Sequence, residues 1–175
     1  MKRIKKGNFA IMCSVVLLLA MVVLLAHLNA GDVALKKDLE MNAEFFLRQD
    51  ESKYRVTMSD VLELDPVEFT ANLNTSTTDS TPVTFTGVEL SKLCQHYRVL
   101  ISPDSIIQVS ALDGYASALT GGEVLAVDNV YICIKMNGKV LQPKKEGGFG
   151  PYLMVIKNVR FSQRWCKFVE EIAVR

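Results

Sequence analysis

Between Phe9 and Ala26 every residue is uncharged, and this unbroken apolar run has no counterpart later in the chain. With Leu28 it reaches 20 residues, interrupted only by His27 near its end. At about 1.5 Å per residue a helix of that length spans roughly 30 Å, the thickness of a bilayer's hydrocarbon core. Beyond it the pattern becomes charged. Residues 31–53 (from Gly31-Asp-Val-Ala-Leu-Lys-Lys-Asp) consist of good helix formers, so a juxtamembrane helix or linker is expected there, with Phe45, Phe46 and Leu47 either docking on the domain or closing that helix.

From residue 57 onward short periodic segments alternate with turn signals. Thr57-Met-Ser-Asp60 fits a helix capping box, followed by Val61, Leu62 and Leu64 and stopped at Asp65-Pro66. Glu68–Leu73 alternates as a strand, with Phe69, Ala71 and Leu73 on one face. The Thr/Ser/Asn/Asp run 72–82 reads as a loop or hairpin tip, and Val83–Thr86 as a second strand. Leu90, Leu93, Cys94 and Tyr97 fall at i, i+3, i+4 and i+7, the buried stripe of a helix over 91–97. Ile106–Ala111 and the β-branched Val130–Met136 read as strands. Asn137-Gly138 supplies the two positive φ angles of a type I′ turn, which joins Val130–Met136 to Lys139–Leu141 as a hairpin. Asp113-Gly114 turns the chain, 123–127 has no clear type, and 152–156 and 165–174 look like two more strands. The expected fold class is α+β, a β-rich mixed-sheet domain preceded by one transmembrane helix.

The division expected from this pattern is a basic tail over 1–8, a transmembrane signal anchor over 9–28, a stalk over 29–54 and a domain over 55–175. Charge supports the first part. Residues 1–30 hold four of the 20 basic residues and no acid, so the remainder carries 16 basic against 19 acidic residues. A basic cluster before the apolar run keeps the N-terminus cytoplasmic and places the domain outside, as a single-pass membrane protein. A cleaved signal peptide, giving a secreted domain, is the rival reading, although its apolar region is usually shorter and Leu28 sits where the cleavage site wants a small residue. The net charge of +1 gives no electrostatic footing for nucleic acid.

Candidate chemistry is sparse. Of two histidines, His27 lies in the apolar run and His96 on the 91–97 helix, so no zinc-type ligand set and no nucleophile–histidine pair emerges. The domain's cysteines are Cys94, Cys133 and Cys166. Three small buried hydrophobes is the leading reading, one disulfide among them the second and a reactive thiol the third. Asn74-Thr75-Ser76 matches a glycosylation sequon. Gly147-Gly-Phe-Gly-Pro151 is the richest glycine cluster and reads as either an inter-strand loop or a ligand-lining one.

Five segments in order carry a family resemblance: Val83-Thr-Phe-Thr-Gly-Val-Glu-Leu-Ser-Lys-Leu93, Val109-Ser-Ala-Leu-Asp-Gly-Tyr115, Asn137-Gly-Lys-Val-Leu141, Gly148-Phe-Gly-Pro-Tyr-Leu-Met-Val-Ile156 and Trp165-Cys-Lys-Phe-Val-Glu-Glu-Ile172. Together they resemble the sulfite-oxidase-type molybdopterin-binding fold over about residues 55–174. The resemblance implies a cofactor groove near Asp113, Gly114, Tyr115, Gly148, Gly150 and Lys167, which become the candidate binding residues. Molybdopterin is the cofactor it implies. The chain departs from the family where the metal is held: Thr75 stands at the position of the thiolate ligand, and a neutral hydroxyl is a poor substitute for a soft anion. The family's basic loop before the closing strand is replaced by Asn158-Val-Arg-Phe-Ser-Gln163, with only Lys167 at a basic position. The leader also lacks the arginine pair of exported, cofactor-loaded members. The expectation is therefore a non-catalytic, membrane-tethered module without cofactor, binding a small ligand or a protein partner. The alternatives are a molybdopterin-dependent oxidoreductase or its subunit, and a structural ectodomain of a membrane complex.

Overall fold

Alternation and turn chemistry decide most of the domain's elements. The computed structural model describes residues 12, 14–24, 42–75 and 78–175. By its contacts the chain divides into Met1–Glu40 and Met41–Arg175. In the first unit residues 14–24 are helical, with large apolar side chains 49% to 71% exposed. Among the described residues no helix is long and apolar enough to cross a membrane. Residues 12 and 14–24 of the expected span over 9–28 are described, whereas the rest of it and the stalk up to residue 41 lie outside the described residues.

The second unit holds eleven strands and three short helices among the described residues. In chain order they are β1 (Glu44–Gln49), β2 (Ser52–Thr57), α1 (Met58–Glu63), β3 (Val67–Thr75), β4 (Thr78–Glu89), α2 (Leu90–His96), β5 (Ile106–Ala111), β6 (Ala116–Thr120), α3 (Gly121–Leu125), β7 (Val130–Met136), β8 (Lys139–Val140), β9 (Leu153–Ile156), β10 (Cys166–Lys167) and β11 (Val169–Val174). One sheet has the order β2-β1-β11-β5-β6; the other runs β10-β9-β7-β4-β3, with β8 paired to β7. The first is mixed, because β1 lies parallel to β11 and antiparallel to β2. The α+β, sheet-rich class expected from the sequence is the one observed.

The stretch expected to be helix or linker is where sequence and structure part. Residues 44–53 contain β1 and the start of β2, not a helix. Helix-forming residues there yield to alternation: Phe45 and Leu47 are fully buried while Phe46 points to the other face. Phe45 packs edge-on against Tyr152 with centroids 4.8 Å apart, and the Tyr152 hydroxyl donates to the Ala43 carbonyl at 2.9 Å. Hence this hairpin belongs to the same core as the remaining strands.

The expected strand over 165–174 is also two strands in different sheets. Phe168 breaks it with φ +56°, a left-handed conformation uncommon for an aromatic residue. Its N–H donates to the Phe149 carbonyl at 3.1 Å and its carbonyl accepts from Leu112 N–H at 3.0 Å. These bonds hold the kink that lets β10 join β9 while β11 joins β5. Strand β6 has no clear signal in the sequence, and β3 and β4 run well into the polar stretch 72–82. The Asn137-Gly138 turn has the expected geometry, with φ +51° and +74°.

Helix α3, of no clear type in the sequence, carries its own capping box. Thr120 accepts from Glu123 N–H at 3.2 Å, and Glu123 accepts from Thr120 N–H at 2.9 Å. Arg164 closes on the same carboxylate through Nη1 at 2.7 Å and Nη2 at 3.1 Å. The Arg164 hydrogen bonds hold the Glu123 carboxyl below its ordinary 4.5. Its stabilisation is thus complete above pH 4.5 and is lost as pH falls through the depressed folded value. Glu123→Gln is expected to be less stable than the parent at neutral pH, with the gap closing in acid. Thermal denaturation across that range checks it, and a gap independent of pH contradicts it.

Candidate functional site

Long-range packing brings four segments around one cavity of about 480 Å³. The end of β3 contributes Leu73, the turn between β5 and β6 contributes Asp113 and Tyr115, and the loop before β9 contributes Phe149. A 3-10 turn and its continuation into β10 supply Ser162, Gln163, Trp165 and Lys167. Trp165 is the chain's one tryptophan and is buried. Its indole N–H donates to the Ile156 carbonyl at 2.9 Å, and its ring meets Phe85 edge-on at 5.5 Å. The wall it forms is therefore fixed from behind.

The polar groups are mostly engaged with each other. The Tyr115 hydroxyl donates to the Gln163 carbonyl at 2.6 Å, and Tyr115 N–H to Asp113 Oδ1 at 3.2 Å. Lys144 Nζ lies 3.5 Å from Asp113 Oδ2. Ser162 Oγ donates to the Asn74 carbonyl at 2.6 Å and accepts from Asn74 N–H at 3.1 Å. The Asn74 carboxamide donates to the Arg160 carbonyl at 3.0 Å, so the sequon's asparagine serves the hairpin-to-turn contact. Lys167 Nζ sits 3.9 Å from the Phe149 ring centroid, a cation–π distance, with no carboxylate partner among the described residues.

Of the six residues expected to line a site, the structure brings three together: Asp113, Tyr115 and Lys167. Gly114 lies between two of them at φ +86°, which the turn requires, and a side chain there meets nothing. Gly148 and Gly150 are placed differently. A Cβ on Gly148 falls 2.0 Å from the Gln142 carbonyl oxygen, and one on Gly150 falls 2.5 Å from Leu141 Cβ. Both glycines let the loop lie against 141–143, where Gly150 N–H donates to the Gln142 carbonyl at 2.9 Å. Leu73, Phe149, Ser162, Gln163 and Trp165 escape sequence reasoning as site residues. Phe149 stands out there only as part of the glycine-rich loop; the others depend on contacts far apart in sequence.

The three domain cysteines are free and buried. Burial pushes the Cys94 and Cys166 thiols up to about 12, and raises Cys133 well above the ordinary range. Cys166, though next to Lys167, points its Sγ inward, 3.7 Å from the Val109 carbonyl. A thiol held this far from thiolate is a poor nucleophile. Peptide mapping after native treatment with a maleimide is expected to show Cys94, Cys133 and Cys166 unlabelled, and all three labelled after unfolding; native labelling of any one contradicts its burial.

His96 is exposed on α2, its ring 5.0 Å from that of Tyr97. Among the described residues no three His, Cys, Asp or Glu side chains converge on one point. The donor chemistry of the cavity can be set against molybdopterin, the group that the sequence resemblance implies. A thiolate is wanted for the metal and several cations for the phosphate. The lining presents one ammonium, a carboxylate already paired with Lys144, two hydroxyls that donate within the fold, and a carboxamide. Those residues do not fit the group.

No family model matches this chain, and no curated protein matches it. A solved structure does: the sulfane dehydrogenase SoxCD from Paracoccus pantotrophus, at a TM-score of 0.62 and 16% identity. The fold is shared with that oxidoreductase. The match covers 77% of this chain and 38% of that one, so the chain spans well under half the length of its structural neighbour. At this identity the likeness is one of fold, and the sulfite-oxidase-type resemblance is supported to that extent.

Proposed function

We propose that this chain is a membrane-tethered, extracytoplasmic binding module, in which an oxidoreductase scaffold serves to hold a small ligand or a partner's side chains and carries out no redox chemistry. The observation that carries this reading is the composition of the cavity. A concavity that brings aromatic rings together with polar side chains is a usual form of a ligand site, and among the described residues no sulfur or imidazole lines it. The threonine at position 75 agrees with this, since it replaces the thiolate the resemblance calls for. Fold likeness by itself assigns no activity. The tether rests on the apolar run 9–28 and the basic residues before it.

The direct functional test is turnover. Full-length protein from native membranes is expected to pass no electrons from sulfite or reduced sulfur compounds to an artificial acceptor. Sustained turnover that co-purifies with the chain overturns the reading. Alkaline extraction of the same membranes tests the tether: the intact chain is expected to stay in the pellet, and a version lacking residues 1–30 to leave it.

A further inference from the structure

We propose that the cavity takes a planar aromatic ligand bearing a single negative charge, of the aryl monocarboxylate class, with Lys167 as the carboxylate's partner. This rests on the binding-module reading and names the ligand chemistry of the same site.

Shape and charge lead to this class. Trp165, Phe149 and Tyr115 are three of the eight lining residues, so aromatic rings form part of the walls. Flat rings prefer to stack or meet edge-to-face with other rings, with a gain beyond simple burial. The orientation of Trp165 is fixed by its bond to the Ile156 carbonyl, and that of Tyr115 by its bond to the Gln163 carbonyl. Two walls are thus pre-organised, which lowers the ordering cost of binding.

The polar inventory then selects the ligand's charge. Asp113 is matched by Lys144, and the hydrogen bonds of Ser162 are used within the fold. What remains among the described lining groups is the Lys167 ammonium and the Gln163 carboxamide. An ammonium against an aromatic face, without a carboxylate, is a donor set for one anionic group. A phosphate ester brings close to two charges at neutral pH and calls for several donors or cations. One lysine suits a monoanion. A cationic ligand meets like charge at Lys167, and the carboxylate that would receive it is already engaged.

Trp165 makes the test direct, because the only indole in the chain lines the site. The full-length protein in detergent is titrated with benzoate, benzamide and phenyl phosphate at constant ionic strength, and indole emission is followed. Benzoate is expected to give a saturable change, and benzamide to bind roughly tenfold more weakly or worse, the range for losing a charge-assisted hydrogen bond. Lys167→Gln is expected to bring benzoate down to the level of benzamide, while Lys167→Arg largely retains it. Lys167 is exposed, so both variants are expected to melt with the parent. Phenyl phosphate binding more tightly than benzoate overturns the monoanion assignment. Benzamide matching benzoate, with no effect of Lys167→Gln, overturns the charge assignment but leaves the cavity a binding site. No saturable response to any of the three overturns the aryl monocarboxylate class, while the binding-module reading stands or falls by the turnover test.

Discussion

Phe45→Ala is expected to destabilise the domain by about 3–5 kcal/mol, the range for deleting a buried aromatic ring. The size follows from where the ring sits. Phe45 is fully buried in β1, which is flanked by β2 and β11 within its sheet. Its edge-on contact with Tyr152 joins that strand to the start of β9 in the second sheet, and the Tyr152 hydroxyl reaches back to Ala43. The neighbouring Phe46 is the control. It faces the other way, half-buried, with Lys53 Nζ 3.9 Å from its ring centroid. Phe46→Ala is expected to cost about 1 kcal/mol, the value of a partly exposed contact of this kind. Chemical denaturation of the two variants separates the cases. Equal and small losses mean that residues 44–49 are a tether outside the core.

Gly150→Ala is expected to cost about 2–3 kcal/mol, the upper part of the range for overpacking. The new methyl falls 2.5 Å from Leu141 Cβ and 2.6 Å from the Leu141 carbonyl oxygen. Backbone cannot move aside as a flexible side chain can, so the loop must lift from 141–143 and weaken the Gly150 N–H bond to the Gln142 carbonyl. Phe149 and Phe168 are coupled to the same loop through the Phe168 N–H bond, so the cavity wall shifts with it. Gly114→Ala is a comparison of a different kind. Nothing lies within 4 Å of the added carbon there, and the cost is that of φ +86° alone, about 1 kcal/mol. Thermal melts of both variants check the order. A Gly150→Ala protein that melts with the parent contradicts the close packing of this glycine on Leu141.

Much of the fold can be read from local chemistry. The boundaries of β5 and β7 follow from alternation and β-branching, and the β7–β8 hairpin from Asn137-Gly138. Thr57 and Asp60 announce α1. The elements that escape are decided by tertiary context. Phe45-Phe-Leu47 sits among helix formers, and its pairing with β2 on one side and with β11, more than a hundred residues later, on the other makes it a strand. Residues 165–174 look continuous until the two sheets compete for them at Phe168. The site divides the same way. Asp113, Tyr115 and Lys167 emerge from the order of family-like segments, whereas Leu73, Ser162, Gln163 and Trp165 face the cavity through packing between β3, the 3-10 turn and β10. Gly148 and Gly150 lie against residues 141–143, a close backbone approach that their glycine character alone does not distinguish from a ligand contact.

Elemental analysis for molybdenum on the full-length chain, purified from its native membranes without added chelator, bears most directly on a cavity built without sulfur. A content far below stoichiometric is the expected result. Stoichiometric molybdenum that stays with the protein through purification would contradict it, and would mean that this scaffold still grips its metal by donors other than those lining the cavity.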